Sequence, residues 1–276
     1  MVSALAAFSR GEVIHPVRTV LTVEERSRYL GIMPAVLGDV MGMKLVTFYP
    51  VNAGSTFPTH NATIVIYNTG TGQPIAAMDG RLITEMRTAA VSAAITRYLA
   101  PPDARVLALL GSGVQAHSHL AALSCVAKFS EVRVWSRNSE HAERFAREHG
   151  ASVADSAEAA VRGADVIVTA TSSHEPILKG AWLKPGAHVN AVGSSRRDWR
   201  ELDAEAMANV VVVDSREAAA EEAGDVVMAN ATIFAEAGEI FAGLKEAPRE
   251  ATTVFKSVGL AVEDVAAAKL VVSTAS

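Results

Sequence analysis

The sequence predicts an α/β protein in which a Rossmann-type, doubly wound parallel sheet follows a β-rich first region. Three observations carry that prediction. From residue 105 onward, short apolar runs alternate with helical segments, the pattern of parallel strands joined by helical crossovers. Several runs, such as DVIVTA from Asp165 and NVVVVD from Asn209, are apolar almost throughout, as strands covered on both faces are. The alternation opens with RVLALLGSGVQAHSH (105–119), where an apolar run breaks into a glycine turn and then into helix-forming residues.

Taken in order, the first region reads as strands at 12–22 (EVIHPVRTVLT), 43–49 (MKLVTFY) and 62–67 (ATIVIY), each rich in β-branched or aromatic residues between turn signals. Asn68 to Gly72 (NTGTG) reads as a hairpin turn returning through Pro74 to Met78, and Asp79-Gly80 closes it. An Ala-rich helical pattern runs from Ile83 to Leu99 and stops at Pro101-Pro102. Strands follow at 105–110, 131–135, 165–170, 187–192 and 210–214, with a short one at 151–154. Helices fill 139–149 and 156–162, and 231–243 and 252–270 also read as helical. The last of these leaves the sheet region and rejoins the first.

Composition narrows the function classes. In 276 residues, 50% are hydrophobic and 20% charged, so the chain has material for a substantial core. A net charge of -5 argues against a nucleic-acid binder that relies on neutralising phosphates. One cysteine, Cys125, leaves no intrachain disulfide framework and suits a reducing compartment. No apolar stretch reaches the roughly 18 residues of a membrane span. MVSALAAFSRGE at the N-terminus is too short and too weakly charged for a secretory signal, so a cytoplasmic location is expected.

The glycine turn fits a dinucleotide. Gly111 permits the tight turn, Gly113 lets the backbone approach a pyrophosphate, and Val114, Gln115 and Ala116 open the helix whose N-terminus would face it. The following strand ends in Ser136-Arg137-Asn138, with no carboxylate to accept from a ribose 2′-hydroxyl. An arginine among small polar donors suits a 2′-phosphate, so NADPH (NADP+) is expected rather than NAD(H). Other motifs fail. Leu110 stands where a nucleophile elbow at Ser112 needs glycine, and no phosphate-binding G-x-x-x-x-G-K-[ST] loop is present. His117 and His119, two apart on a helix, point to different faces, and no metal is expected. Arg18, Lys44 and Arg87 stand in apolar or strand-like settings; taken singly each reads more readily as an outward-facing charge than as a ligand for a carboxylate.

The stretches HPVRTV, KLVTFY, MDGRLITEMRTAAVSA, LLGSGVQAHSH, GADVIVTATSSHEPIL, KPGAHVNAVGSSRRDWRELD, EEAGDV and TVFKSVGLAVEDVAAAKL resemble the ornithine cyclodeaminase/mu-crystallin family. The resemblance implies a homodimer whose nucleotide domain (95–246) is inserted in a split substrate and dimerisation domain (1–94 and 247–276). It also implies that Arg18, Lys44 and Arg87 hold a substrate carboxylate. Thr59 and His60 would lie by the nicotinamide, and Thr171, Val192, Gly193 and Ser257 would line the cofactor. Glu222 would be an acidic residue of the ligand pocket.

One departure is informative. Where cyclodeaminases carry an aspartate after the glycine of NAVGSSRRDW, this chain has Ser194, as in the mu-crystallin branch. A hydroxyl does not pair with an ammonium as a carboxylate does, which argues against ornithine cyclodeamination. The implied activity is NADPH-dependent reduction of cyclic ketimines next to a carboxylate, with the proton coming from Lys44 or from a water held by His60. An amino-acid dehydrogenase, or a carrier of NADPH and a thyroid-hormone-type ligand, are the alternatives. The chain also starts about one helical segment later than the family pattern.

Overall fold

The structure, a computed structural model, describes residues 1–25 and 27–275. The chain forms two compact units, one of residues 1–87 and 259–276, the other of residues 88–258. The boundaries expected at 94/95 and 246/247 thus fall earlier and later. There is no linker at the first, because one helix, α2 (Arg81–Leu99), runs through it. At the second, residues expected outside the sheet supply one of its central strands.

The first unit is an antiparallel meander of five strands in sequence order: β1 (Thr19–Glu24), β2 (Arg28–Leu37), β3 (Val40–Phe48), β4 (His60–Asn68) and β5 (Pro74–Asp79). The C-terminal helix α10 (Ala261–Ala275) packs against β2, β3 and β4, and α1 (Val2–Ser9) packs against α10. Period-two alternation sets the buried face: Tyr29, Met33 and Ala35 of β2 are buried, as are Ile64 and Ile66 of β4. The strand expected at 12–22 begins only at Thr19, after Pro16, leaving Ile14 as a single bridge to Val36. Strand β2 escapes sequence reading because Gly31 and Pro34 look like breakers. Pairing with β1 ends at Ile32, and the Val36 N–H two residues on points to that side, so Pro34 forfeits no ladder bond there.

The second unit is an eight-stranded sheet in which every paired neighbour is parallel, ordered β12-β11-β13-β10-β9-β6-β7-β8. Its strands are β6 (Val106–Leu110), β7 (Glu131–Trp135), β8 (Ser152–Val153), β9 (Val166–Thr169), β10 (His188–Ala191), β11 (Val210–Val213), β12 (Ile233–Glu236) and β13 (Thr253–Lys256). Helices α3 (Val114–Ser124), α4 (Ser139–His149), α5 (Ala157–Val161), α6 (Ala204–Met207), α7 (Arg216–Glu222), α8 (Gly224–Ala229) and α9 (Ala237–Phe241) complete it. Leu107, Leu109, Val134, Val166 and Val168 pack with Leu123 of α3 and Phe145 of α4 in one core. The doubly wound expectation holds, with two corrections: 231–243 is strand then helix, and 252–270 opens as β13. TVFK is too short to show a period, and only its central place between β10 and β11 makes it a strand. Among the described residues no helix is long and apolar enough to cross a membrane.

Candidate active site

The order of the strands reverses between β6 and β9, parallel neighbours although β7 and β8 come between them in sequence. Open α/β sheets bind ligands at the carboxyl ends of strands at such a switch point. The order β13-β10-β9-β6-β7 brings together, along that edge, Ser257, then Val192 and Gly193, then Thr171, then Gly111 to Gln115, then Ser136 to Asn138. Eleven of the expected cofactor residues are therefore consecutive around one edge, from five distant segments.

The turn after β6 fits a pyrophosphate. Gly111 has φ +115°, and a Cβ there would stand 2.6 Å from the Ala170 carbonyl oxygen, so only glycine fits between β6 and β9. A Cβ at Gly113 would meet nothing within 4 Å, so the space beside that backbone is open. Gly113 is the N-cap of α3 and caps it with no side chain; the Ala116 N–H turns back to the Gly113 carbonyl at 2.9 Å, and the N–H groups of Val114 and Gln115 are left to a ligand. The Gln115 side-chain oxygen beside them is buried without a partner among the described residues. Arg137 is exposed, and Asn138 accepts from Glu140 N at 3.0 Å to cap α4.

Two buried acids that sequence reading missed hold this edge in place. Glu201 accepts from Thr171 N and Oγ1, both at 2.7 Å, from Thr169 Oγ1 at 2.8 Å and from Gly193 N at 2.9 Å. Burial pushes its pKa up, against the pull of the Lys256 charge and the threonine hydroxyls. Asp214 accepts from Ser257 Oγ at 3.0 Å and Val258 N at 2.8 Å. Below them, buried Asp225 pairs with Lys256 at 2.8 Å and accepts from Glu201 N at 2.7 Å. Ser194, expected at the substrate, is instead fully buried, and its hydroxyl donates to the Trp199 carbonyl at 2.9 Å. It shapes its own loop. Glu222 is half-buried at the end of α7.

The first unit holds the three expected cations, with Thr59 and His60. Lys44 lies mid-strand in β3, in register with Met33 on one side and Ile64 on the other, and is 2% exposed. Its Nζ is 2.7 Å from Asp264 in the first turn of α10. Arg87 donates through Nη1 to Glu263 at 2.5 Å and through Nε to Asp264 at 3.0 Å. Arg18 donates to the Gly259 carbonyl at 2.6 Å. Gly259 has φ +78°, and a Cβ there would stand 2.5 Å from Arg87 Nη1, so both its conformation and its neighbour require glycine. Carboxylates in the first turn of a helix are favoured by its dipole, which makes α10 a natural place to anchor such a cluster.

The electrostatics separate the two candidate proton donors. Burial pushes the Lys44 ammonium down to about 8, with Asp264 opposing and Arg87 adding to the shift. Burial alone would raise Asp264, but the charges of Arg87 and Lys44 outweigh it and hold the carboxyl below its ordinary value. His60 stacks on Phe48 with ring centroids 4.5 Å apart, and its Nδ1 lies 3.1 Å from Thr59 Oγ1. The surrounding protein lowers its pKa and the Lys44 charge lowers it further, so the ring is neutral near pH 7. His117 and His119 do face apart: His119 is buried between Ser92 and the Gln115 carbonyl, and burial lowers it to about 4.

Fold and site together define a dinucleotide-binding α/β protein with a buried cluster of cations matched by acids. The chain belongs to the ornithine cyclodeaminase/mu-crystallin family, whose model matches residues 1–276. It is 52% identical over 277 residues to the ketimine reductase mu-crystallin of Macropus fuliginosus, covering 97% of this chain and 88% of that protein. The structure of Thermococcus litoralis Δ1-pyrroline-2-carboxylate reductase, in complex with NADH and L-proline, superposes with a TM-score of 0.93 at 35% identity. That match covers 99% of this chain and 90% of the other. An archaeal alanine dehydrogenase dimer with bound NAD matches with a TM-score of 0.93 and 33% identity, over 99% of this chain and 89% of its own.

Proposed function

We propose that this protein uses NADPH to reduce the C=N bond of cyclic ketimines that carry a carboxylate on the imine carbon, as in piperideine-2-carboxylate. The observation that carries this reading is Lys44, a buried ammonium held by Asp264 beside Arg87. An imine accepts hydride far more readily once its nitrogen is protonated. With a pKa of about 8, Lys44 holds a proton near neutral pH that it can give up directly, whereas His60, its pKa lowered, would serve only by holding a water. Arg18 and Arg87 pair with the substrate carboxylate. Arg87, locked by two acids, offers a fixed guanidinium rather than a swinging one. Bound NADPH would supply the hydride, with Gly111–Gln115 at its pyrophosphate and Ser136–Asn138 at its 2′-phosphate.

The direct test follows NADPH absorbance with a cyclic ketimine and with pyruvate plus ammonia or methylamine, and ammonia release from ornithine plus NAD+, because cyclodeamination is redox-neutral overall. NADPH consumption with the ketimine is expected, and no ammonia from ornithine. If no imine is turned over while NADPH still binds, the reading fails in favour of a carrier for a carboxylate ligand such as a thyroid hormone.

The acting form is a homodimer joined through the open face of the five-stranded sheet. Helix α10 covers one face, whereas Leu21, Leu30, Ile32 and Leu45 share the other by register, and Leu21 and Leu45 are exposed. An open apolar sheet face of this kind suits a partner, and the alanine dehydrogenase relative is a dimer. Leu45→Glu, which places a charge at its centre, should convert a dimer to a monomer in sedimentation. A variant still dimeric at micromolar concentration would place the interface elsewhere.

A further inference from the structure

We propose that His117, Glu148 and His149 form a site for a borderline transition-metal ion, of which Zn²⁺ is the natural probe. His117 lies on α3 and the adjacent Glu148 and His149 end α4, 31 and 32 residues on, and the ligand atoms of the three lie within 4.8 Å of one another. His117 Nδ1 and His149 Nε2 stand 2.7 Å apart, and Glu148 Oε2 is 4.0 Å from His117 Nδ1. Buried Phe145 packs against both rings, with centroids at 4.7 Å from His117 and 4.6 Å from His149. The aromatic ring thus restricts both imidazoles before any ion arrives.

The geometry is close to what an ion needs. With Zn–N bonds of about 2.0–2.1 Å, two ligand atoms of a tetrahedral site stand roughly 3.3 Å apart. The two histidines must therefore part by on the order of half an ångström, and the carboxylate must close by roughly 0.7 to 1.5 Å, within reach of an exposed glutamate side chain. All three side chains are at least partly exposed, so neither movement disturbs the core. The present N···N contact holds one proton between the rings. An ion would replace it, with each imidazole neutral and its proton on the far nitrogen. Two imidazoles and one carboxylate select Zn²⁺, Ni²⁺, Co²⁺ or Cu²⁺ over Mg²⁺ or Ca²⁺, and water would complete the coordination. An ion here would tie α3 to α4, and because it binds the folded chain it would raise thermal stability.

The test titrates EDTA-treated, full-length protein with ZnCl2 by calorimetry and repeats thermal unfolding with and without Zn²⁺. One ion per chain and a higher Tm are expected, and Mg²⁺ should give neither. His117→Gln and His149→Gln should each weaken Zn²⁺ binding at least tenfold and abolish the Tm shift. His141→Gln, an exposed histidine on the same helix α4, should change neither. The proposal is overturned by no uptake, by uptake that survives the first two variants, or by equal loss in His141→Gln.

Discussion

Replacing Lys44 by Met should lower kcat for ketimine reduction by about 10²- to 10⁴-fold, the usual contribution of a positioned general acid. The affinity for NADPH should stay within about threefold of wild type. Methionine keeps most of the buried length and removes only the ammonium, while Asp264 retains Arg87 as a partner. A companion variant separates chemistry from folding. Asp264 raises the Lys44 pKa against the effect of burial, so Asp264→Asn should lower it below about 8. Deprotonated Lys44 cannot donate, so the rate should fall as pH rises through that value, and this limb should move to lower pH in Asp264→Asn. A purely structural Asp264 would scale the whole profile down without moving the limb. Full turnover by Lys44→Met would reject the proton-donor role outright.

The sequence shows the ligands of this site more readily than their supports. The alternating region was legible because parallel strands buried on both faces are written as apolar runs, and the glycine turn because its φ of +115° demands glycine at position 111. Lys44 was visible as a charge in a strand, but whether it pointed in or out was not. Its register with Met33 and Ile64 decides that, and strand β2, which carries Met33, was hidden by Gly31 and Pro34. Glu263 and Asp264 fell inside a segment expected to be helical from 252 on, and only the later start of α10 and its packing on the sheet set them toward Arg87 and Lys44. Glu201 carried no local signal at all. Its bonds to Thr169, Thr171 and Gly193 span up to 32 residues of sequence, and such pairs are set by sheet order, which one sequence does not print. Ser194 is the converse case, a position singled out by type whose hydroxyl the fold pairs with a neighbouring carbonyl that the sequence does not announce.

Replacing Arg137 by Asp should reverse the choice of dinucleotide. The two similar structures described above hold NADH and NAD, so descent alone does not favour the phosphorylated form. The local chemistry does. Arg137 follows β7, the sheet neighbour of β6, so it stands one strand from the glycine turn, where the adenine ribose of a bound dinucleotide belongs. A hydrogen bond to a charged group contributes about 1.5–3 kcal/mol, roughly one to two factors of ten. Aspartate removes that bond, repels the 2′-phosphate, and supplies the acceptor that a free 2′-hydroxyl seeks. The ratio of kcat/KM for NADPH over NADH should therefore fall by about two orders of magnitude or more. Arg137 is exposed, so stability should change by no more than about 0.5 kcal/mol, and a lower ratio cannot be blamed on unfolding. A ratio that stays within threefold of wild type would mean that Arg137 does not touch the cofactor, and the assignment of NADPH would lose its main physical support.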